Sequence, residues 1–311
     1  SSINDVKNIT LMNLTNKILD NKSKKKLYKI IEAGVNSDQF IQNIIIENEI
    51  ITNEKYIAKI KINLNKEKFV NLLRNKKINY TDIQSKPFLV ISSYNINFIK
   101  IGLNKKKSFN NFLKQKKIIK KSLVKYSFPS LDANDRYVLP YEKILKKDIN
   151  GFNALLNKYN LDQLILINIL KSNTTNQTNV NISIYINEKF TTIGDINLKN
   201  NNFESQNKLF EFISDKLLIY INDWWKKKYQ INNSVFNKIE CRILSKNFED
   251  LIKIKSDINN LSQVKYIKTK KIQLNSNIVD IFYYGNFDVL HESLFLTNNF
   301  YKEKNGCIIF N

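Results

Sequence analysis

Asp132, Asp135 and Arg136 stand together in the segment LDANDR, and no other stretch concentrates as much chemistry. Two carboxylates at that spacing, in a loop that follows a strand, can bind a cation or a cationic ligand group. Strand ends that face a crevice are where α/β domains hold ligands. Asp132, Asp135 and Arg136 are therefore the candidate ligand-binding residues. The competing reading is structural: Asp132 and Asn134 shape a turn, while Asp135 caps a helix or pairs with Arg136. The structural reading is the stronger, because no third carboxylate or histidine joins the pair locally, as a metal-dependent hydrolase would require.

The remaining reactive residue types are sparse. His291, the single histidine, lies in FDVLHESLF beside Glu292. A catalytic imidazole needs a nucleophile or a metal partner, so His291 is read as structural or surface-facing. Cys241 and Cys307 cannot make a zinc site, which leaves either one disulfide or two buried thiols. Trp224-Trp225 followed by Lys226-Lys227-Lys228 has the composition of an aromatic-basic membrane anchor. Helical spacing instead assigns Trp224 to a core stripe and frees Trp225 to reach outward, with the lysines suiting a helix C-terminus. The chain has six glycines and no GxGxxG, GK[ST] or GxSxG, so glycine-built cofactor sites are excluded and no cofactor or metal is expected.

The 311 residues carry 50 Lys and Arg against 28 Asp and Glu, a formal charge of +22. Such an excess is first a nucleic-acid or acidic-membrane signal. Only Arg74, Arg136 and Arg242 are arginine, the side chain suited to bidentate phosphate and base contacts. A chain rich in Lys, Asn and Ile and poor in Arg, Gly and Pro has the composition of an AT-rich genome, which puts much of the charge on solvated faces. Lys114, Lys116, Lys117, Lys120 and Lys121 form one such face, without the interleaved aromatics that a single-strand binder wants. No apolar run approaches the ~18–20 residues of a membrane-spanning helix. The sequence starts Ser-Ser, which leads to the expectation of a signal peptide removed before Ser1.

Periodicity places these residues on elements. Residues 1–86 read as an N-terminal α+β domain: two helices, a hairpin over 39–64 and a short helix at 66–74. Residues 87–230 read as a central α/β domain with a mixed sheet. PFLVISSY opens it as a doubly covered strand, a basic helix follows over 108–125, and a short strand ends before LDANDR. Next come a helix ending in NKYNLD, the apolar strand QLILINIL, two antiparallel strands and a long helix over 203–229. QINNSV (230–235) reads as a linker. Residues 235–311 read as βαββαβ, the ferredoxin-like plan, whose first and last strands are neighbours. Cys241 lies in the first and Cys307 in the last, so a cross-strand disulfide fits.

The pieces KPFLVIS, FPSLDANDR and NALLNKYNLDQLILINI resemble a proteobacterial family catalogued as domain of unknown function 2066. That family has an Arg-Pro-led apolar strand, a Pro-x-Leu-Asp-x-x-Asp segment, and a helix with Tyr before an aligned Asp and a strand. The matching positions are Lys86, Pro87, Pro129, Leu131, Asp132, Asp135, Tyr159 and Asp162, with Lys86 departing from the usual arginine. The stretch from Val235 to Ile272 is similar to the family's ending. The resemblance implies an exported, periplasmic or envelope protein of a family with no established enzymatic activity.

The expected protein is thus α+β, built of three small modules, and a non-catalytic envelope factor whose partner is another protein. A basic nucleic-acid-binding protein, cytoplasmic or organellar, is the alternative. A hydrolase using Asp132 and Asp135 with a metal ranks third.

Overall fold

The computed structural model describes residues 3–32, 36–51, 56–172, 177–198, 203–273, 275–297, 299–303 and 306–310. The expected α+β class is the observed one, with three sheets among the described residues. Contacts group the chain into two compact units, Ser1–Ile83 with Lys226–Asn311, and Gln84–Trp225.

The first unit opens with α1 (Ile3–Ile18) and α2 (Asn21–Glu32). Asp20 Oδ1 accepts the Ser23 backbone N–H at 2.7 Å and so caps α2. The hairpin β1 (Ile41–Ile51) and β2 (Tyr56–Leu64) pairs Ile44 with Ile62 and Ile46 with Ile60. Asn65 then caps α3 (Lys66–Asn75), which buries Phe69, Val70 and Leu73.

The second unit holds β3 (Pro87–Ile96), β4 (Ile99–Ile101), α4 (Asn110–Gln115), α5 (Lys117–Lys121) and β5 (Lys125–Ser127). It continues with α6 (Ala133–Val138), α7 (Tyr141–Lys146), α8 (Ile149–Tyr159) and β6 (Gln163–Lys171). The hairpin β7 (Thr178–Ile186) and β8 (Lys189–Leu198) and the long α9 (Gln206–Lys228) complete it. The sheet order is β4-β3-β6-β7-β8, with β5 also on β3. β3 runs parallel to β5 and β6 while the other pairs are antiparallel, a mixed sheet. Phe88–Ile91 and Leu164–Ile167 are all buried, because helices cover both faces of these strands. One face packs Leu89, Ile91 and Leu166 against Leu131, Phe152 and Leu155. On the other, Phe210 of α9 packs edge-on to Tyr94 and Phe109, with ring centroids 5.1 and 5.2 Å apart.

Two local expectations are corrected here. The basic helix over 108–125 is broken at Lys116, whose extended backbone (ψ 124°) separates α4 from α5. Tertiary bonds override the helical propensity: Lys116 pairs with Asp215 of α9 at 2.8 Å, and Ser122 bonds Asn222 of the same helix. The tryptophan assignment is reversed as well. Trp225 is buried, its ring 6.1 Å from Phe88, and Trp224 is the half-exposed one.

From Lys226, in the last turn of α9, the chain belongs to the first unit. Lys226 is buried, and its ammonium donates to the Asn16 carbonyl at 2.7 Å. QINNSV is packed rather than free: Ile231 N–H donates to the Tyr80 carbonyl at 2.7 Å, and Asn233 Nδ2 donates to the Ile78 carbonyl at 2.6 Å. Then follow β9 (Phe236–Leu244), α10 (Phe248–Asn259), β10 (Val264–Lys271), β11 (Ser276–Tyr284), α11 (Phe287–Thr297), β12 (Asn299–Glu303) and β13 (Gly306–Phe310).

The sheet order β10-β11-β9-β13-β12 keeps the ferredoxin-like neighbours but adds a strand. β12 forms a hairpin with β13, so β13 returns beside β9 in parallel rather than antiparallel. In that register Cys307 faces Cys241 with Cα atoms 4.5 Å apart, and the two form a disulfide.

Candidate ligand site

The candidate residues sit where β5 gives way to α6. Leu131 is buried and lies in the left-handed region at φ 60°, a costly conformation for leucine. What holds it there is its own N–H, which donates to Asp135 Oδ2 at 2.8 Å. Asp132 is the N-cap of α6, its Oδ1 accepting the Asp135 N–H at 2.8 Å. The helix stops at Leu139 because Pro140 follows, and Pro140 caps α7.

Asp135 has no exposed surface, and its carboxylate is saturated. Besides the Leu131 N–H it accepts the Tyr159 hydroxyl at 2.7 Å, the Lys158 ammonium at 2.7 Å and the Ser130 hydroxyl at 3.3 Å. Lys158 stands at the C-terminal end of α8 and also donates to Asp132 Oδ2 at 2.7 Å. One ammonium therefore bridges both carboxylates. Tyr159 in turn accepts the Ser130 N–H at 2.8 Å, and Ser130 Oγ donates to Asp132 Oδ2 at 2.8 Å.

The electrostatics follow from these bonds. The Lys158 ammonium, helped by the Asp135 N–H, holds the Asp132 carboxyl well below the usual carboxylate range. The same two carboxylates hold Lys158 protonated, above the usual lysine value. Burial pushes the Tyr159 phenol up and keeps it a hydrogen-bond donor. An effective general base works near neutral pH, and Asp132, Lys158 and Tyr159 are each shifted away from it. The Ser130 hydroxyl donates to both carboxylates, and Lys158 fills the place a cation would take.

Asp132 and Asp135 are thus brought together, but Arg136 is not: its Nε donates to the Asp132 carbonyl at 3.3 Å and touches neither carboxylate. The partner of Asp135 is Lys158, which sequence reading missed because it lies on a separate helix. The one signal was Tyr159, the next residue and part of the family-like pattern. Nearby, Lys86 pairs with Asp162 at 3.2 Å across a shallow cleft lined by Pro87, Asn157, Asn160 and Leu161.

His291 is half-buried on α11 with its ring centroid 6.3 Å from that of Phe287. Among the described residues, no group of three His, Cys, Asp or Glu side chains could hold a metal ion. Among them also, no helix is long and apolar enough to cross a membrane.

The site and fold define an α+β protein with a closed polar clamp in its mixed-sheet unit. No family model matches the chain, and no curated protein matches it either.

Proposed function

We propose that this chain is an exported envelope protein that carries out no catalysis and acts by binding other proteins. The disulfide between Cys241 and Cys307 carries the reading, because such bonds persist in oxidising compartments and are rare where thioredoxin and glutathione keep thiols reduced. Two further features support it. The carboxylates of the LDANDR segment are both bridged by Lys158, which suits a structural clamp better than a catalytic pair. The β1–β2 hairpin exposes Ile46, Ile50, Ile51 and Ile57, apolar surface of the kind that marks protein–protein contact.

The test is the redox state of the cysteines in the native cell. Cells are quenched in acid, the protein is denatured and alkylated before and after reduction, and the two peptides are weighed. Cys241 and Cys307 are expected to alkylate only after reduction. Alkylation of both without reductant would remove the export reading.

A further inference from the structure

The sheet β10-β11-β9-β13-β12 packs α10 and α11 on one face, the face that carries Cys241, Ile243, Val279 and Ile281. Strand alternation sends the intervening side chains to the opposite face. There three adjacent strands contribute a row of rings: Tyr266 from β10, Phe282 and Tyr284 from β11, and Phe236 from β9. Register sets Tyr266 opposite Phe282 and Tyr284 opposite Phe236. Tyr266 and Phe282 lie 4.4 Å apart and Phe282 and Phe236 6.2 Å apart, each pair within 23° of parallel. Tyr266 and Phe236 remain 43% and 47% exposed, which leaves the row open for a further planar group to join.

Cations interleave with these rings. Lys265 Nζ sits 5.2 Å from the Phe236 centroid, and Lys238, Lys268, Lys270 and Arg242 are exposed on the same face. Two carboxylates share it, Glu240 and Asp280. Lys270 pairs with both, and Lys238 also approaches Asp280, at 3.7 Å. Arg242 and Lys268 make no ion pair among the described residues. The face is net positive, and its charge lies beside its rings.

We infer that this face binds single-stranded nucleic acid, with bases extending the row of Tyr266, Phe282 and Phe236 and phosphates meeting Lys268, Arg242 and Lys265. A sheet face with aromatic residues on adjacent strands offers unpaired bases a stacking platform, and flanking cations track the backbone. An acidic polypeptide without aromatic side chains, such as poly-glutamate, would satisfy the lysines but brings no ring to join the stack. The interleaving that the basic face at 114–121 lacks is present here, assembled from residues up to some fifty positions apart. The inference does not depend on export, so its test and the cysteine test fail separately.

The experiment is fluorescence anisotropy on the full chain at two salt concentrations. The probes are labelled oligo-U, labelled oligo-dT, a duplex of the same length and a poly-glutamate peptide of matched charge. Single strands are expected to bind more tightly than the duplex or the peptide, with affinity falling as salt rises. Phe282→Leu keeps the apolar bulk and removes the ring, so it is expected to weaken binding about tenfold, and Phe282→Tyr to restore it. Lys268→Ala is expected to lower the salt slope by about 0.7. Tyr266→Leu serves in place of Phe282→Leu if circular dichroism shows that variant unfolded. Equal affinity for poly-glutamate, ring variants that bind like the parent, or no binding to single strands would each overturn the inference.

Discussion

Lys158 Nζ lies 2.7 Å from Asp135 Oδ1, and that carboxylate has no exposed surface. A buried charge is tolerable only when it is paired and hydrogen-bonded, and Asp135 has the ammonium, a phenol and a backbone N–H. The pair ties the end of α8 to the start of α6 and holds the left-handed turn at Leu131. The role of the LDANDR segment is to lock this corner of the sheet.

Replacing Asp135 by alanine strands the buried Leu131 N–H and takes one partner each from the Tyr159 hydroxyl and the Lys158 ammonium. A stranded buried donor costs about 1–3 kcal/mol and a lost bond to a charged group about as much, so Asp135→Ala is expected to lower unfolding free energy by roughly 2–4 kcal/mol. Urea denaturation of the parent and the variant measures it. A loss below about 0.5 kcal/mol, the scale of a surface change, would contradict the clamp.

The pH dependence of the clamp has a definite sign. The Asp132 carboxyl is depressed by Lys158, so its contribution is present above the ordinary value of 3.8 and is lost as pH falls through the lower folded value. Lys158 is raised, so its contribution is present below 10.5 and is lost as pH climbs through the higher folded value. The stability gap between the parent and Lys158→Met is therefore expected to be flat from about pH 5 to 9 and to narrow beyond both limits. Thermal melts across pH test this. A gap that stays constant into strong acid would show that Lys158 acts through packing alone.

The clamp also marks the limit of what the sequence discloses. β3 and β6 were legible because short unbroken apolar runs such as LVI and LILI, rich in β-branched residues, fit doubly covered strands, and α9 because its apolar stripe keeps helical spacing over 23 residues. Asp132 and Asp135 were legible as a pair. Their partner was not, because Lys158 is 23 positions beyond Asp135, and no local pattern selects one lysine in a chain so rich in them. The break at Lys116 has no glycine or proline to announce it and comes from bonds to Asp215 and Asn222. Trp224 and Trp225 were exchanged because a one-residue phase error turns a helix by about 100°. β12 was missed because Asn299–Glu303 is mostly polar and reads as a loop.

The disulfide closes a separation of 66 residues between two strands of one sheet. A loop of that size confines the unfolded chain by about 4 kcal/mol in the chain-entropy treatment. The double variant Cys241→Ala/Cys307→Ala is expected to lose about 2–5 kcal/mol against the oxidised parent. Reduction of the parent should produce a loss of similar size. Equilibrium denaturation with and without reductant measures both, and coincident curves would mean that the bond contributes nothing to the folded state.

Gly194 of β8 and Tyr220 of α9 give the last expectation. Tyr220 donates its hydroxyl to the Ile193 carbonyl at 2.7 Å, which lays the ring directly over Gly194, where the β7–β8 register shifts. A Cβ at position 194 would overlap the terminal atoms of that ring. Gly194→Ala is therefore expected to force Tyr220 off the sheet and to cost about 1–3 kcal/mol, the range of an overpacked core. Tyr220→Ala removes the obstacle together with its hydrogen bond. In the double variant the added cost of Gly194→Ala should largely vanish, a coupling of at least about 1 kcal/mol between residues in contact. Thermal denaturation of the four proteins completes the cycle. Strictly additive losses would mean that the glycine is required for the backbone of β8 and not for the approach of Tyr220.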